Sequence, residues 1–422
     1  MKRQDAGLGA GPRKGAAQQG DSQRDYDFII VGGGVAGLSL ALELVRSPLR
    51  EHSILIIEPQ AKDRNDRTLC FWTEQASAYD EIVFHSWDRL RFAGDGFEQV
   101  LDLGKYRYNM LRGIDFYRYA QERLAAYENV EFVRGRVDRI EAAGLSPGVW
   151  ASGRPYTGKW VFDSRFRIAN LRRGPEDYRL LRQHFKGWVI ETPDARFDPD
   201  TVTFLDFRTP QKDEPRFFYV LPFSETQALV ECVFLSHDDY DRVLSDYIRS
   251  VLRTQNYTIL SREGGVNPLT DFPFARRLGP RVMAIGTAGG RVKPTSGYAF
   301  TRIQKDSAAI VQSLVENGDP FGVPADPAFF RFCDAMMLKI MDEHGDRVES
   351  IFARMFRANS VERIFHFLDE TSTPVENLGL ISSLAQPLFI KVLFEVLVSR
   401  KMGAWQIGRK LDGSTRPVSA PK

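Results

Sequence analysis

The fold is decided by one stretch near the start of the chain, Asp27-Phe28-Ile29-Ile30-Val31-Gly32-Gly33-Gly34-Val35-Ala36-Gly37-Leu38. An apolar run ends in a glycine cluster, and a helical pattern follows at once. Gly32, Gly34 and Gly37 have the G-x-G-x-x-G spacing, which permits a tight turn, a close backbone approach to a pyrophosphate and close packing of helix on strand. The free N–H groups at the helix N-terminus then favour a phosphate. We therefore predict a strand–turn–helix unit that binds a dinucleotide.

The next apolar run, residues 53–58, is typical of a second buried strand and ends in an acid. Glu58 lies 24 positions after Gly34, where a carboxylate binds a ribose 2′-hydroxyl. The ordered series of strand, glycines, helix, strand and acid is more specific than the glycines alone. The spacing suits NAD as readily as FAD, and a glycine-rich turn of another α/β fold is the alternative.

The composition limits the binding partners and the cellular compartment that we expect for this protein. With 422 residues we expect two or three lobes, and a net charge of +2 gives no electrostatic reason to expect nucleic acid. Cys70, Cys232 and Cys333 lie far apart, so we predict no disulfide, no metal site and a reducing cytosolic setting. No apolar run reaches the roughly 18 residues of a transmembrane helix. We predict that residues 1–24 are a disordered leader and residues 409–422 a disordered tail.

Further along, strand-like segments between residues 184 and 236 are separated by turns, and they predict an antiparallel sheet inserted into the first domain. The last third of the chain is mostly helical in pattern. The predicted division is 25–80, 110–175 and 276–320 for the dinucleotide-binding domain, 81–109 and 176–275 for the substrate-binding sheet domain, and 321–408 for a C-terminal helical region.

A second glycine turn follows the inserted sheet. Residues 281–286 predict a strand, and Gly286, Thr287, Gly289 and Gly290 form a turn before a helical pattern. We interpret this turn as a second backbone approach to the same cofactor, because the chain here returns to the first domain. Flavin hydroxylases usually have an Asp where this chain has Thr287, which argues against the hydroxylase subgroup.

Glu231 is the residue that we expect to supply acid chemistry. It is the lone carboxylate in residues 228–234, an otherwise uncharged and mostly apolar strand. Burial disfavours the charged form, so a buried Glu can hold its proton near neutral pH and act as a general acid. A Glu that faces outward on an alternating strand is the alternative.

Two charged pairs are further candidates for the site. Asp66 and Arg67 follow the second strand, where flavoproteins often place residues near the cofactor, and an ordinary ion pair in a turn is the alternative. Asp206 and Arg208, in Leu205-Asp206-Phe207-Arg208, place two charges on one face of an apolar strand. They would orient Glu231 or the cofactor, or merely pair with each other.

Several separated stretches together resemble bacterial lycopene β-cyclases, the flavin-dependent enzymes that close the ionone rings of carotenoids. The most specific are Asp66-Arg67-Thr68 with Phe71-Trp72, and Gly286–Gly290. Leu69 departs from the family, where a tryptophan is expected beside the cofactor, and Cys232 departs where a tyrosine or an acid is expected beside Glu231. The stretches that carry the resemblance are 26–40, 65–72, 162–165, 184–192, 204–208, 218–234, 286–304 and 361–370.

The resemblance implies an α/β fold of two lobes: a Rossmann-type FAD-binding domain, an inserted antiparallel β-sheet substrate domain and a C-terminal helical region. It implies FAD that is active when reduced and is not consumed, with NAD(P)H as the external reductant. The implied reaction converts lycopene through γ-carotene to β-carotene. A proton adds to a terminal double bond, an internal double bond attacks the cation, and a ring proton is lost.

Two other classes of function stay open at the level of sequence. An FAD-dependent monooxygenase or reductase of isoprenoids would share the fold but would consume a nicotinamide with each substrate. A non-catalytic carotenoid- or flavin-binding protein would need no placed acid.

The final helix, predicted from Leu388 to Arg400, is broadly apolar and either packs in the core or docks on a bilayer. Because lycopene dissolves in lipid, we predict a cytoplasmic protein that is peripherally bound to a membrane.

Overall fold

The computed structural model describes residues 24–171, 178–384 and 386–398, so nearly all of the predicted leader and the whole predicted tail lie outside the described residues. The strands are β1 (Arg24–Val31), β2 (Ile54–Glu58), β3 (Thr68–Thr73), β4 (His85–Trp87), β5 (Arg89–Gly94), β6 (Phe97–Asp102), β7 (Arg107–Arg112), β8 (Val130–Arg134), β9 (Val137–Glu141), β10 (Gly148–Ala151), β11 (Arg154–Asp163), β12 (Leu180–Glu191), β13 (Thr201–Asp206), β14 (Phe217–Pro222), β15 (Gln227–Phe234), β16 (Thr258–Thr270), β17 (Arg277–Gly279) and β18 (Val282–Ala284). The helices are α1 (Val35–Val45), α2 (Gly113–Leu124), α3 (Tyr240–Ser250), α4 (Phe300–Asn317), α5 (Ala328–Glu343), α6 (Val348–Ala358), α7 (Val361–Leu368), α8 (Pro374–Ser383) and α9 (387–398).

The first lobe is built on a parallel sheet. Its central strands run in the order β18, β11, β1, β2 and β8, and every neighbouring pair among them is parallel. The second half of β1, from Phe28 to Val31, and residues 54–57 of β2 are apolar and buried because both faces of a parallel sheet are covered. Helices α1, α2 and α4 cover one face, and the strands β9 and β10 extend from β11 and pack on the other.

The second lobe is a sheet of seven strands in the order β16, β12, β15, β14, β13, β5 and β6. Its pairs are antiparallel except for β13 with β5. Residues alternate between its faces, as antiparallel strands dictate. On β15, Val230 and Cys232 pack against α3, whereas Leu229 faces the opposite side, with the C-terminal helices α5 to α9.

A small sheet of β3, β7 and β4 joins the two lobes. Large aromatic residues pack in the core that it shares with the C-terminal helices. Trp72 on β3 stacks on Phe365 of α7 with ring centroids 4.6 Å apart, and Trp87 on β4 is fully buried. Burial of large side chains of this kind contributes about 1.5–3 kcal/mol each, which fixes the C-terminal helices on the sheet lobe.

The predicted fold class is confirmed: a parallel-sheet lobe with the glycine turn, an inserted antiparallel sheet and a helical C-terminal region. The residue boundaries of the domains stay predictions. No helix among the described residues combines the length and the apolar character needed to cross a bilayer. The sequence interpretation missed β16, although its neighbours β12 to β15 agree with the predicted strands.

Candidate active site

The glycine turn between β1 and α1 leaves room for a ligand at one position only. Gly32 has a φ of +106°, and a side chain on Gly37 would place its Cβ 1.9 Å from the Gly32 carbonyl oxygen. Gly34, by contrast, has no heavy atom within 4 Å of where a Cβ would be. It is also the N-cap of α1, and no side chain caps this helix. The turn therefore offers open space at an uncapped helix N-terminus, which suits a phosphate.

Glu58 lies beside this turn at the end of β2, as predicted. Its Oε2 accepts a 2.7 Å hydrogen bond from the Gly33 N–H, and its Oε1 accepts one of 2.9 Å from the Gln60 N–H. Two backbone donors thus hold the carboxylate at the mouth of the turn. This is the position expected for an acid that binds a ribose.

The second glycine turn packs against the first. A Cβ on Gly286 would lie 2.6 Å from the Ala36 Cβ, so the two turns touch where α1 begins. Thr287 lines the cavity described next, together with Val35 of α1. Gly289 and Gly290 face a neighbouring cavity of about 380 Å³, which Thr287 also lines. The predicted return of the chain to the first site is therefore present in the structure.

A cavity of about 400 Å³ lies between the two lobes. Val35, Arg67 and Thr287 of the first lobe line one wall, and the residues at the start of α4 line the same region. Glu231 and Glu263 of the seven-stranded sheet line the opposite wall. Two of the predicted cofactor residues, Arg67 and Thr287, thus face the same space as the predicted acid.

Glu231 belongs to a row of residues that crosses four strands. Its neighbours in register are Gly187 on β12 and Tyr219 on β14, and Gly187 is in turn paired with Glu263 on β16. Paired residues point to the same face of a sheet, so this row faces the cavity. A Cβ on Gly187 would lie 3.3 Å from the Glu231 Oε2, which means that the carboxyl group extends over the glycine. Sequence reasoning missed Glu263 and Gly187.

The surroundings of Glu231 favour its protonated form. Burial raises the pKa of Glu231 well above its ordinary value, and the negative charge of Glu263 raises this pKa further. Burial also raises the pKa of Glu263, but the hydrogen bond from Thr68, 2.9 Å long, favours the Glu263 carboxylate. These contacts favour the proton on Glu231 and the negative charge on Glu263. A carboxyl group beside a carboxylate has the chemistry to give one proton and to take another.

Aromatic side chains surround the acid. Tyr108 and Tyr298 share a 2.6 Å hydrogen bond between their hydroxyl groups, and both line the cavity with Tyr219, Phe185 and Phe300. Burial raises the pKa of all three tyrosines, so they are neutral phenols. Aromatic faces attract a cation. The cavity combines a proton donor with a lining that stabilises positive charge.

Arg67 lines the rim of the cavity, and its guanidinium pairs with Asp66 at 3.1 Å. Tyr117 donates a 2.8 Å hydrogen bond to the same Asp66 carboxylate. Leu69, where the family resemblance expects a tryptophan, also lines the cavity. Cys232 is on the opposite face of the sheet, against α3, so its departure from the family does not change the lining beside Glu231.

The structure separates Asp206 and Arg208 from Glu231. Asp206 is fully buried, accepts a 2.6 Å hydrogen bond from the Tyr247 hydroxyl on α3, and pairs with Arg208 at 2.6 Å. The register of β13 and β14 shifts between Thr203 and Asp206, and this bulge turns Asp206 to the α3 face of the sheet. These contacts favour the alternative, that the two residues pair with each other, over the expectation that they orient Glu231 or the cofactor.

A second, apolar cavity of about 130 Å³ adjoins the first. The two share Gln183, Tyr219, Val233, Ser296 and Tyr298 in their linings. We call this cavity the apolar channel. Its walls come from the sheet and from the C-terminal helices, and include Phe204, Phe217, Met337, Met341, Phe352, Leu380, Ile381, Leu384 and Phe389.

One group among the described residues offers three potential metal ligands, Glu74, Glu362 and His366. It lies on the surface, away from the cavity. Lys105 Nζ is 2.7 Å from Glu362 and 3.1 Å from Glu74, so ion pairs account for this arrangement. The prediction that the protein uses no metal stays a prediction.

The fold and the site define a two-lobed α/β protein with a dinucleotide-type turn, an inserted sheet and an acid in a shared cavity. A model of the family described as "Lycopene cyclase protein" matches residues 27–391, and the chain belongs to this family. The tomato (Solanum lycopersicum) neoxanthin synthase is 21% identical over 325 residues, which are 70% of this chain and 61% of that protein. The lycopene beta cyclase of Arabidopsis thaliana is 23% identical over 309 residues, 68% of this chain and 60% of that protein. The chain thus spans about 60% of the length of these relatives.

Solved structures share the fold. A flavoprotein/dehydrogenase from Cytophaga hutchinsonii has a TM-score of 0.61 at 13% identity, covering 89% of this chain and 100% of that one. A geranylgeranyl bacteriochlorophyll reductase-like protein from Thermoplasma acidophilum has a TM-score of 0.58 at 14% identity, with coverage of 89% and 100%. At these identities the likeness concerns the fold alone.

Proposed function

We propose that this protein is a lycopene β-cyclase that forms β-ionone rings by acid catalysis without net redox change. The observation that carries the proposal is the placement of protonated Glu231 in an aromatic cavity between the cofactor-lobe turns and the apolar channel. The substrates are lycopene and γ-carotene, and the product of two cyclisations is β-carotene. Membership in the lycopene cyclase family and the name of the Arabidopsis thaliana relative support this choice of substrate.

The proposed cofactor is FAD, and the residues fit it. Gly34 leaves an open cradle at the start of α1, and Glu58 lies beside it for the ribose. Thr287 continues the same surface toward the cavity, where α4 begins with its positive end. Reduced FAD, when bound, supplies a negative charge next to the substrate. NAD(P)H is the proposed external reductant, and flavoprotein neighbours of the same fold support the choice of a flavin.

Glu231 is the proposed acid. Its raised pKa keeps it protonated at neutral pH, and its carboxyl group extends into the cavity over Gly187. The proton adds to the terminal double bond of the ψ end group, and an internal double bond then attacks the cation. Tyr219 and Tyr298 present aromatic faces to that charge. Exclusion of water by the apolar lining protects the cation from hydration.

The apolar channel is the proposed site for the polyene. Its lining is aliphatic and aromatic almost throughout, which suits a hydrocarbon chain that makes no hydrogen bonds. It meets the acid at Tyr219 and Tyr298, so an end group at Glu231 and a polyene in the channel form one continuous path.

We further propose that the C-terminal helices dock on a membrane from the cytoplasmic side. Leu380 and Ile381 of α8 line the channel, whereas Val375 and Leu378 of the same helix are 80% and 71% exposed. On α9, Phe389 lines the channel and Phe394 is 61% exposed. The helices that form the channel wall thus carry apolar side chains on their outer faces, as expected where a lipid-dissolved substrate enters. Arg400 and Lys401 lie outside the described residues.

Expression in a host that makes lycopene tests the function directly. Chromatography of the pigments should show γ-carotene and β-carotene, and purified protein should convert lycopene without net NADPH oxidation. Coupled consumption of NADPH would instead indicate a redox enzyme of isoprenoids.

Glu231→Gln should lower cyclisation by about 100- to 10,000-fold with flavin content unchanged. Glu191→Gln, at the exposed end of β12, is the matched control and should behave as wild type. Normal cyclisation by Glu231→Gln would exclude Glu231 as the acid.

A further inference from the structure

Nothing separates the two carboxyl groups of the row that faces the cavity. Glu231 and Glu263 both pair with Gly187, from β15 on one side and from β16 on the other. Because Gly187 has no side chain, the two acids meet above it. An added Cβ there would lie 3.3 Å from the Glu231 Oε2 and 2.8 Å from the Leu229 Cδ1. The glycine is therefore what allows this close approach.

The two oxygens of Glu263 differ in their surroundings. Oε2 accepts the 2.9 Å hydrogen bond from the Thr68 hydroxyl, which comes from the other lobe. Oε1 is buried and receives no hydrogen bond from an N–H or hydroxyl group among the described residues, whereas a hydrogen bond from the Glu231 carboxyl group lowers the pKa of Glu263. A buried carboxylate oxygen is unfavourable unless such a donor reaches it. Such an atom beside a proton donor and a reaction cavity is suited to receive a proton.

We propose that Glu263 is the base that removes the ring proton and then returns that proton to Glu231. The proposal rests on the cyclase function proposed above. Glu231 gives its proton to the terminal double bond and becomes a carboxylate. The internal double bond forms the ring C–C bond, and the C–H electrons of the ring carbon become the new double bond as Oε1 of Glu263 takes the proton. Transfer from Glu263 to Glu231 restores both groups, so no proton is gained or lost.

The other groups around the pair are consistent with this direction of transfer. Asp66 and Arg67 form their own ion pair at the rim, and the nearby phenols and thiols are neutral. Glu263 is thus the negatively charged acceptor beside Glu231. The titratable and charged groups that face or influence the pair are Asp66, Arg67, Cys70, Tyr108, Tyr219, Cys232 and Tyr298.

Glu263→Gln tests the proposal in the full-length, flavin-loaded protein. We expect kcat to fall by about 100- to 10,000-fold, with lycopene KM and flavin content within about twofold of wild type. The remaining product should contain more isomeric rings, because the cation then loses a proton from another carbon. The alkaline limb of the pH–rate profile should move to lower pH, since the charge that raises the pKa of Glu231 is gone. A purely structural role for Glu263 would not shift the ring isomers.

Thr68→Val is a milder variant that keeps both acids. Loss of its hydrogen bond removes a stabilising contact of the Glu263 carboxylate, so the acid limb of the profile should move to higher pH. Thr68→Ser keeps the hydroxyl group and is the matched control. Its pH–rate profile should have the same acid limb as wild type. This pair tests the proposal even if Glu263→Gln does not fold.

Wild-type kcat, ring isomers and pH profile in Glu263→Gln would overturn the proposal and leave Glu231 to take back its own proton. If Glu263→Gln does not fold, identical acid limbs in Thr68→Val and Thr68→Ser would overturn it. Failure of the proposed cyclase function would look different, because wild-type protein itself would form no rings from lycopene. Cyclisation by wild type together with an unaffected Glu263→Gln therefore rejects the base and keeps the cyclase.

Discussion

Thr68 and Glu263 are 195 positions apart in the chain and are joined by a 2.9 Å hydrogen bond from the Thr68 Oγ1 to the Glu263 Oε2. Thr68 opens β3, directly after the Asp66–Arg67 pair at the rim of the cavity. Glu263 is on the edge strand of the seven-stranded sheet. The bond therefore connects the two lobes at the reaction cavity, and it sets the orientation of the second carboxyl group from the cofactor side.

The glycine turn provides a matched pair of substitutions that separates binding from folding. Gly34→Ala projects a methyl group into open space, so the flavin-free protein should keep its Tm while flavin affinity falls at least about tenfold. Gly37→Ala places a methyl group 1.9 Å from the Gly32 carbonyl oxygen, so the backbone must move and both Tm and flavin content should fall. Differential scanning fluorimetry and flavin absorbance measure the two effects. Wild-type flavin affinity in Gly34→Ala would rule out the proposed cofactor position.

Asp206 should matter for stability rather than for catalysis. Its carboxylate joins Tyr247 of α3 to Arg208 inside the sheet lobe, remote from the cavity lining. Asp206→Asn weakens hydrogen bonds to a charged group, which are worth about 1.5–3 kcal/mol. We expect a lower urea midpoint and an unchanged pH–rate profile. A shifted pH profile with normal stability would restore Asp206 to the catalytic site.

The exposed apolar side chains of α8 and α9 should carry membrane binding. We expect the double variant Leu378→Asp, Phe394→Asp to lose at least about tenfold in liposome binding, because each charge must be dehydrated in the bilayer interface. Liposome flotation measures this, and cyclisation of detergent-dispersed lycopene should be retained. Leu145→Asp is the matched control, since Leu145 is 70% exposed in the other lobe. Equal flotation of all three proteins would remove the proposed docking face.

His366 should make the docking of α7 depend on pH. Its ring nitrogens lie 2.9 Å from Glu376 of α8 and 3.3 Å from Glu74, and the hydrogen bond with Glu376 raises the pKa of His366. The protonated form is thus stabilised by folding, fully below the unfolded pKa of about 6.5, and this contribution disappears as pH rises through the higher folded pKa. The Tm difference between wild type and His366→Gln should be largest in mildly acidic buffer and vanish in alkaline buffer. A difference that is constant with pH would contradict this role.

Much of the first lobe was predictable because the sequence patterns that indicate it are local. The glycine spacing, the apolar strands on either side and the acid at Glu58 all lie within 32 residues, from Asp27 to Glu58, and the structure agrees with each. Glu231 was predictable as well, since a single carboxylate in an apolar strand has few explanations. Its position above Gly187 and beside Tyr219 depends on strands that are distant in sequence.

Two features of the sheet lobe were not predictable from periodicity. Residues 258–270 contain Gly264-Gly265 and Asn267-Pro268, which normally indicate turns, yet they form the edge strand β16. An edge strand tolerates proline because one side of its backbone has no partner strand. Glu263 was therefore overlooked. The contact of Asp206 with α3 was not predictable either, because a single-residue bulge before Asp206 reverses the alternation of side chains along the strand.

The acids and the channel wall belong to different parts of the fold, and this has a consequence for protein engineering. The acids occupy β15 and β16, which flank β12 in a register fixed by backbone hydrogen bonds, whereas Met337, Phe352 and Phe389 of the channel wall belong to separate helices. A rigid scaffold holds reactive groups in place while neighbouring surfaces are redesigned. Repacking the helical wall should therefore alter the length and the shape of the accepted polyene without retuning the proton donor. Chain-length selectivity and ring chemistry are separable traits in such an architecture.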